Sequence, residues 1–345
     1  MIMPHRNGPV DIWPGQRPSL CGLLKWMASD TFHWLGDGYR HAPPPGEETF
    51  TDLHIRHLRQ AMGNRLKVIQ FTKRQESFNG ADWELWIHNR SHGIGLRIQA
   101  KKQSRRGQYG FWYWLPERSA LQCDLLIHDA LATQCMPVYL LYNHGRPWPI
   151  DRGVAKGLCS HTASDRSHYG CTLLSAFHVQ AALFRLVIDN DLHDHYRHIS
   201  HQRLRQLSMP WNQVLCDLQT TKGTGDPRGV ATLKEIQQRS AALERSGLEA
   251  LGWVDPEGFS TPSHVRRSVS DLGDAPELRT RLEETPGAGE AETVLRPLPR
   301  RVLRLLEADA PRPPEPDVPT SAVLLYDVTD SEEPAGNDLG CLRRS

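Results

Sequence analysis

Residues 80–103, GADWELWIHNRSHGIGLRIQAKKQ, alternate polar and apolar side chains in two short runs separated by the turn-forming stretch NRSHG at 89–93. Successive side chains of a strand point to opposite faces, so this alternation specifies a β-hairpin with one apolar face. Pairing residues whose numbers sum to 183 sets Trp83 opposite Ala100, Leu85 opposite Ile98 and Ile87 opposite Leu96. The other face then carries Asp82, Glu84 and Trp86 opposite Lys101, Gln99 and Arg97. A slip of two residues leaves both faces intact. Alternation alone is equally satisfied by a half-buried hairpin whose polar face meets water.

The rest of the chain supplies a core for such a hairpin. Its 345 residues suffice for one large domain with additions or for two modest ones. Lys plus Arg (41) and Asp plus Glu (40) nearly cancel, so no global field commits the chain to nucleic acid or membrane, and any basic surface is local. Seven cysteines without a Cys-x-x-Cys pair fit reduced thiols better than a disulfide framework. With no apolar run resembling a signal peptide or membrane span, a cytoplasmic protein is expected.

Helical spacing of Leu20, Leu23, Leu24, Met27, Thr31 and Leu35 behind Ser19 predicts an amphipathic helix packing on the core. HAPPPGEE (41–48) releases into a second helix that starts near Glu47 and Glu48 and carries Phe50, Leu53, Ile55, Leu58 and Met62. A strand at 66–72, the hairpin, a helix at 119–132 and a strand at 137–143 follow, giving an α/β fold with a mixed sheet flanked by helices. The expected domains are an N-terminal segment (1–45), a core (46–150), a helical extension (151–254) with helices at 169–188, 195–207 and 230–247, and a tail (255–345) rich in Pro, Arg and Glu. The tail composition predicts disorder, apart from SAVLLYDV (321–328), which suits a docked strand or a short recognition segment.

Asp82, a gap of 16 residues and then Gln99-Ala100-Lys101 resembles the signature of the PD-(D/E)xK, or restriction-endonuclease-like, superfamily, in the variant where Gln replaces the second acid. The helix-strand-strand-strand-helix-strand order matches that superfamily's core. GEETFTD (46–52), GADWELWI (80–87), RIQAKK (97–102), LQCDLLIHDA (121–130) and PVYLLYN (137–143) look like a bacterial family within it, over roughly residues 20–185.

The resemblance implies hydrolysis of phosphodiesters in nucleic acid, DNA in particular, with Mg²⁺ or Mn²⁺, in defence against foreign DNA or in DNA processing. Asp82 is the implied principal metal ligand, joined by Gln99, the carbonyl of Ala100 and a helix carboxylate, Glu48 in preference to Glu47. Lys101 would orient water or stabilise charge on the phosphorane. Glu84, Glu76 and Gln122 are further candidates. A neutral Gln99 removes one negative charge from the pocket, which weakens cation affinity or shifts the demand onto Glu48 or Glu84. Superfamily members often dimerise to cut two strands.

Lys102, Arg105 and Arg106 precede Tyr109, Phe111, Trp112, Tyr113 and Trp114. Basic groups followed by aromatics suit backbone neutralisation and base stacking, with Tyr109 taken as a contact, or else a solvated loop entering core aromatics. His193, His195, His198 and His201 have helical spacing but no accompanying Cys or Glu pattern, and Cys159, His161, His168 and Cys171 lack a zinc spacing. KGTGDP (222–227) is a turn rather than a phosphate loop. The competing class is a catalytically silent module that binds nucleic acid or a protein partner, with the tail as a recruitment arm.

Overall fold

The computed structural model describes residues 18–41, 43–70, 81–116, 120–145, 165–188, 198–217, 229–251, 295–307 and 322–329. Helices α1 (Leu20–His41) and α2 (Glu47–Met62) precede β1 (Leu66–Gln70), β2 (Trp83–His88) and β3 (Gly93–Lys102). Three short strands, β4 (Gln108–Gly110), β5 (Trp114–Leu115) and β6 (Ala120–Leu121), lead into α3 (Gln122–Ala132) and β7 (Cys135–Tyr142). Beyond these lie β8 (Cys171–Ser175), α4 (Ala176–Ile188), β9 (His198–Ser200), α5 (His201–Leu204), β10 (Met209–Pro210), α6 (Trp211–Val214), α7 (Val230–Ala250), α8 (Arg300–Glu307) and β11 (Ala322–Asp327).

Seven strands form one mixed sheet in the order β1-β11-β2-β3-β7-β8-β10. Strands β2 and β3 are antiparallel and β3 and β7 are parallel, joined through α3, as the alternation and element order predict. The hairpin register is slipped by two from the expected one: Trp83 faces Ile98, Leu85 faces Leu96 and Ile87 faces Ile94. The turn is therefore tighter at 89–92, yet each side chain keeps its face.

On one face Trp83, Leu85, Ile87, Leu96, Ile98 and Ala100 share a core with Leu23, Met27, Phe50, Ile55 and Leu58 of α1 and α2. Ser19 begins α1 as expected, its Oγ accepting the Gly22 N–H at 3.1 Å. Asp217 adds a second cap by accepting the Leu20 and Cys21 N–H groups at 3.1 and 3.2 Å. On the opposite face α3 and α4 cover Tyr139, Leu141 and Leu174. Helix α8 covers Trp86, Val323 and Leu325.

Three expectations are corrected. Residues 169–188 are not one helix: CTLLS is a strand buried at every position between β7 and β10, and an apolar run buried on both faces has no period to distinguish it from a helix. The described part of 195–207, from His198 on, likewise gives a three-residue strand, paired with β4, and a single helical turn. The region 151–254 thus contributes strands to the main sheet and is not an all-helical extension. The tail, expected to be disordered, contains α8 and β11; within SAVLLYDV, Ala322–Asp327 is the docked strand that the sequence suggested, antiparallel to β1 and parallel to β2. KGTGDP lies outside the described residues. The five described cysteines are buried thiols, and among the described residues no helix is long and apolar enough to cross a membrane.

Buried histidines make the fold acid-sensitive. His54 lies between the rings of Tyr142 and Trp211 with Nε2 2.9 Å from Thr31 Oγ1, and burial together with nearby His57 lowers its pKa from 6.5 to about 3. A histidine whose folded pKa is depressed favours the unfolded chain once that chain protonates, so its contribution to stability is lost progressively as pH falls from 6.5 toward 3. His54→Phe, stacked in the same place, is expected to reduce the slope of unfolding free energy between pH 4 and 6 by about 1.4 kcal/mol per pH unit. Denaturant titrations across that range check it; an unchanged slope would exclude His54 as a source.

Candidate active site

Strand alternation brings Asp82, Gln99 and Lys101 to one end of the sheet, where β2 begins and the parallel pair β3 and β7 ends. Clefts outside the carboxyl ends of parallel strands are the usual ligand sites of α/β sheets. Asp82 donates its backbone N–H to the Ile98 carbonyl at 2.8 Å just before the first ladder pair, Trp83 with Ile98, and its side chain meets Gln99 and the Ala100 N–H. Its Oδ2 accepts the Ala100 N–H at 2.7 Å and Gln99 Nε2 at 2.9 Å. Gln99 Nε2 also reaches the Ala100 carbonyl at 3.3 Å. Burial raises the Asp82 carboxyl to about 6, and the charge of Glu47 adds to this against the opposing Ala100 N–H, Lys101 and Gln99.

Lys101 is buried to 8% exposure, and its ammonium donates to Gln122 Oε1 at 2.8 Å. Gln122 opens α3, so the site includes this candidate and lies at a helix N-terminus. Helix α2 starts nearby and is fixed by Glu47 Oε1, which accepts the Lys102 N–H at 2.8 Å. Two helix N-termini give a local positive potential suited to an anion.

Several expected site residues are placed elsewhere. Glu48 is exposed, while Glu47 turns inward. The helical period carries the reason, since Glu47 shares a face with buried Phe50, Thr51, His54 and Leu58, a signal available in the sequence. Glu84 is fully buried in an ion-pair network, 3.3 Å from Arg97 and 2.6 Å from Arg301, and also accepts from Trp86 Nε1. Its charge is spent on these partners, so it is no candidate ligand. Tyr109 is a core residue whose hydroxyl donates to Asn143. Lys102 Nζ ties down the loop before α2 through the Pro45 carbonyl at 2.6 Å. Arg105 and Arg106 are exposed on the turn after β3. Glu76 lies outside the described residues.

Of the histidine and cysteine groups considered above, only some members are described. His193, His195, Cys159 and His161 are outside the described residues. His198 and His201 fall in β9 and α5 rather than on one helix. Among the described residues, no three His, Cys, Asp or Glu side chains group to hold a metal ion.

The donors near Asp82 are instead all oxygens: two carboxylates, the Ala100 carbonyl and, after a half-turn of its amide, Gln99 Oε1. That chemistry fits a hard divalent cation. A recessed carboxylate with raised proton affinity fits it too, because a cation would relieve the cost of its charge.

A model described as a family of unknown function, DUF6615, matches residues 20–331. The chain belongs to DUF6615. The matched span opens at the first residue of α1 and closes just past β11, so the DUF6615 unit includes the C-terminal strand as well as the site. No curated protein and no solved structure matches this DUF6615 chain.

Proposed function

We propose that this DUF6615 protein is a metal-dependent nuclease with a restriction-endonuclease-like core, acting on DNA. The observation that carries the reading is the convergence of Asp82, Gln99, the Ala100 carbonyl and Lys101 at the end of β3, between the N-termini of α2 and α3. Asp82, Glu47, the Ala100 carbonyl and Gln99 Oε1 would hold Mg²⁺ or Mn²⁺. Such an ion supplies Lewis-acid polarisation of a phosphate oxygen and a more acidic water.

The chain itself positions and neutralises. Lys101, held by Gln122 rather than swinging in solvent, keeps an ammonium where a non-bridging phosphate oxygen gains charge. A fixed donor costs no reorganisation during reaction. Glu47 anchors the start of α2 to β3, so the helix and the strand end move together. Exposed Arg105 and Arg106 lie beyond the same strand end and suit the flanking phosphates.

The orientation of Gln99 supports the silent-module reading as well. With its amide nitrogen on Asp82 and on the Ala100 carbonyl, it satisfies both acceptors without a cation. Plasmid cleavage in Mg²⁺ or Mn²⁺ separates the two. Under the nuclease reading, wild type nicks and Lys101→Ala loses about 10²–10³-fold in rate, the usual cost of one transition-state donor. Absence of cleavage with nucleic acid still bound would favour the silent module.

A further inference from the structure

The large apolar side chains exposed to at least 36% among the described residues are few, and two of them, Tyr113 at 54% and Trp114 at 51%, are consecutive, the first beside the site. The Tyr113 ring centroid is 5.8 Å from Lys101 Nζ. Its backbone is fixed on both sides, its N–H donating to the Phe111 carbonyl at 2.9 Å and its carbonyl accepting the Gln122 N–H at 2.8 Å. Buried Phe111 anchors the segment against Tyr139, and Trp114 and Leu115 pair with Leu121 and Ala120. An aromatic ring on a fixed backbone thus lies in water next to the ammonium assigned to the phosphate.

Resting on the nuclease reading above, we infer that Tyr113 is a stacking platform for an unpaired nucleobase, so that the bound strand is single-stranded or locally unpaired at the site. A base within a duplex has both faces covered by its neighbours and offers none to a protein ring. An unpaired base next to a bound phosphate has a free face within reach of that phosphate, where Tyr113 lies relative to Lys101. Stacking of this kind tolerates any sequence, because every base has a π-face.

The test measures binding in chelator, where nothing is cut. Single strands of DNA and of RNA carrying 2-aminopurine, and duplexes of the same sequence, are titrated into wild type, Tyr113→Phe and Tyr113→Ala. The expected result is tighter single-strand than duplex binding, quenching of 2-aminopurine by wild type and by Tyr113→Phe, and about tenfold weaker single-strand binding by Tyr113→Ala with normal circular dichroism. Whichever strand, DNA or RNA, shows this names the source of the base. Equal binding of duplex and single strand, or Tyr113→Ala binding like wild type, overturns the platform even if plasmid is cleaved. Tyr113-dependent quenching without any cleavage in Mg²⁺ would retain the platform and remove the hydrolytic reading.

Discussion

Asp82→Asn is expected to lose cation-dependent cleavage and, in the same protein, to melt a few degrees higher than wild type in chelator at neutral pH. Both effects come from one carboxylate. Burial, with Glu47 adding, holds its pKa near 6 instead of 3.8, so the folded chain bears the cost of an ionised group that the unfolded chain hydrates freely. A carboxyl with a raised folded pKa contributes most to stability below pH 3.8, and that contribution is lost as pH rises through about 6. Asparagine imitates the protonated form: its oxygen still accepts from Ala100 N–H and Gln99. At roughly 1.4 kcal/mol per pKa unit the full gain approaches 3 kcal/mol, which solvent access to the partly buried side chain reduces to about 1–2 kcal/mol.

The variant's advantage should therefore close as pH falls from 6 to 3.8, while wild-type cation affinity, which requires the ionised carboxylate, weakens below about pH 6. Calorimetric titration of Mg²⁺ and Mn²⁺ and thermal melts on both proteins measure the two effects. A variant that binds the cation like wild type would remove Asp82 from the site. One that melts lower would show that its carboxylate stabilises the fold rather than straining it.

How much of this was legible in the sequence depends on the range over which each signal acts. Alternation at 80–103 is local, and it placed Asp82, Gln99 and Lys101 on one face. The register is set by turn geometry, which alternation does not encode, so the cross-strand partners moved by two residues and Glu84 came to face Arg97. The partner that disqualifies Glu84, Arg301, is 217 residues away in sequence. Glu47 was readable from the helical period, but both glutamates of the pair stood at a helix start where the period had barely begun. Tyr109 and Tyr113 belong to one aromatic run, and only the packing of Phe111 against Tyr139 separates a core tyrosine from an exposed one. β11 was legible as a segment but not in its place. SAVLLYDV stands out from its Pro- and Arg-rich neighbours as suited to a docked strand, whereas β1 and β2, consecutive in sequence, give no sign that a third strand lies between them.

That insertion carries the other large effect. A chain ended after Thr329 keeps every contact described here, whereas one ended after Ser321 lacks β11 and is expected not to fold. Ala322, Val323, Leu324, Leu325 and Tyr326 are each at most 2% exposed, and Tyr326 also donates to Asp217 at 2.8 Å, the residue that caps α1. Burying side chains of this size stabilises by about 1.5–3 kcal/mol each, so the strand contributes on the order of the 5–15 kcal/mol that keeps a whole domain folded. The loss is also topological. Without β11, the edges of β1 and β2 lose their hydrogen-bonding partner, and β2 is the strand that begins beside Asp82.

Leu324→Ala provides a graded version, with an expected loss of about 2–5 kcal/mol from an interior cavity. Circular dichroism, thermal melts and soluble yield of the two truncations and the point variant measure the series. If the chain ended after Ser321 melted like wild type, β11 would be an accessory to a sheet that closes without it. If only that chain fails, the C-terminal strand is part of the structure that positions Asp82, and the candidate site is complete only once the last strand has been inserted.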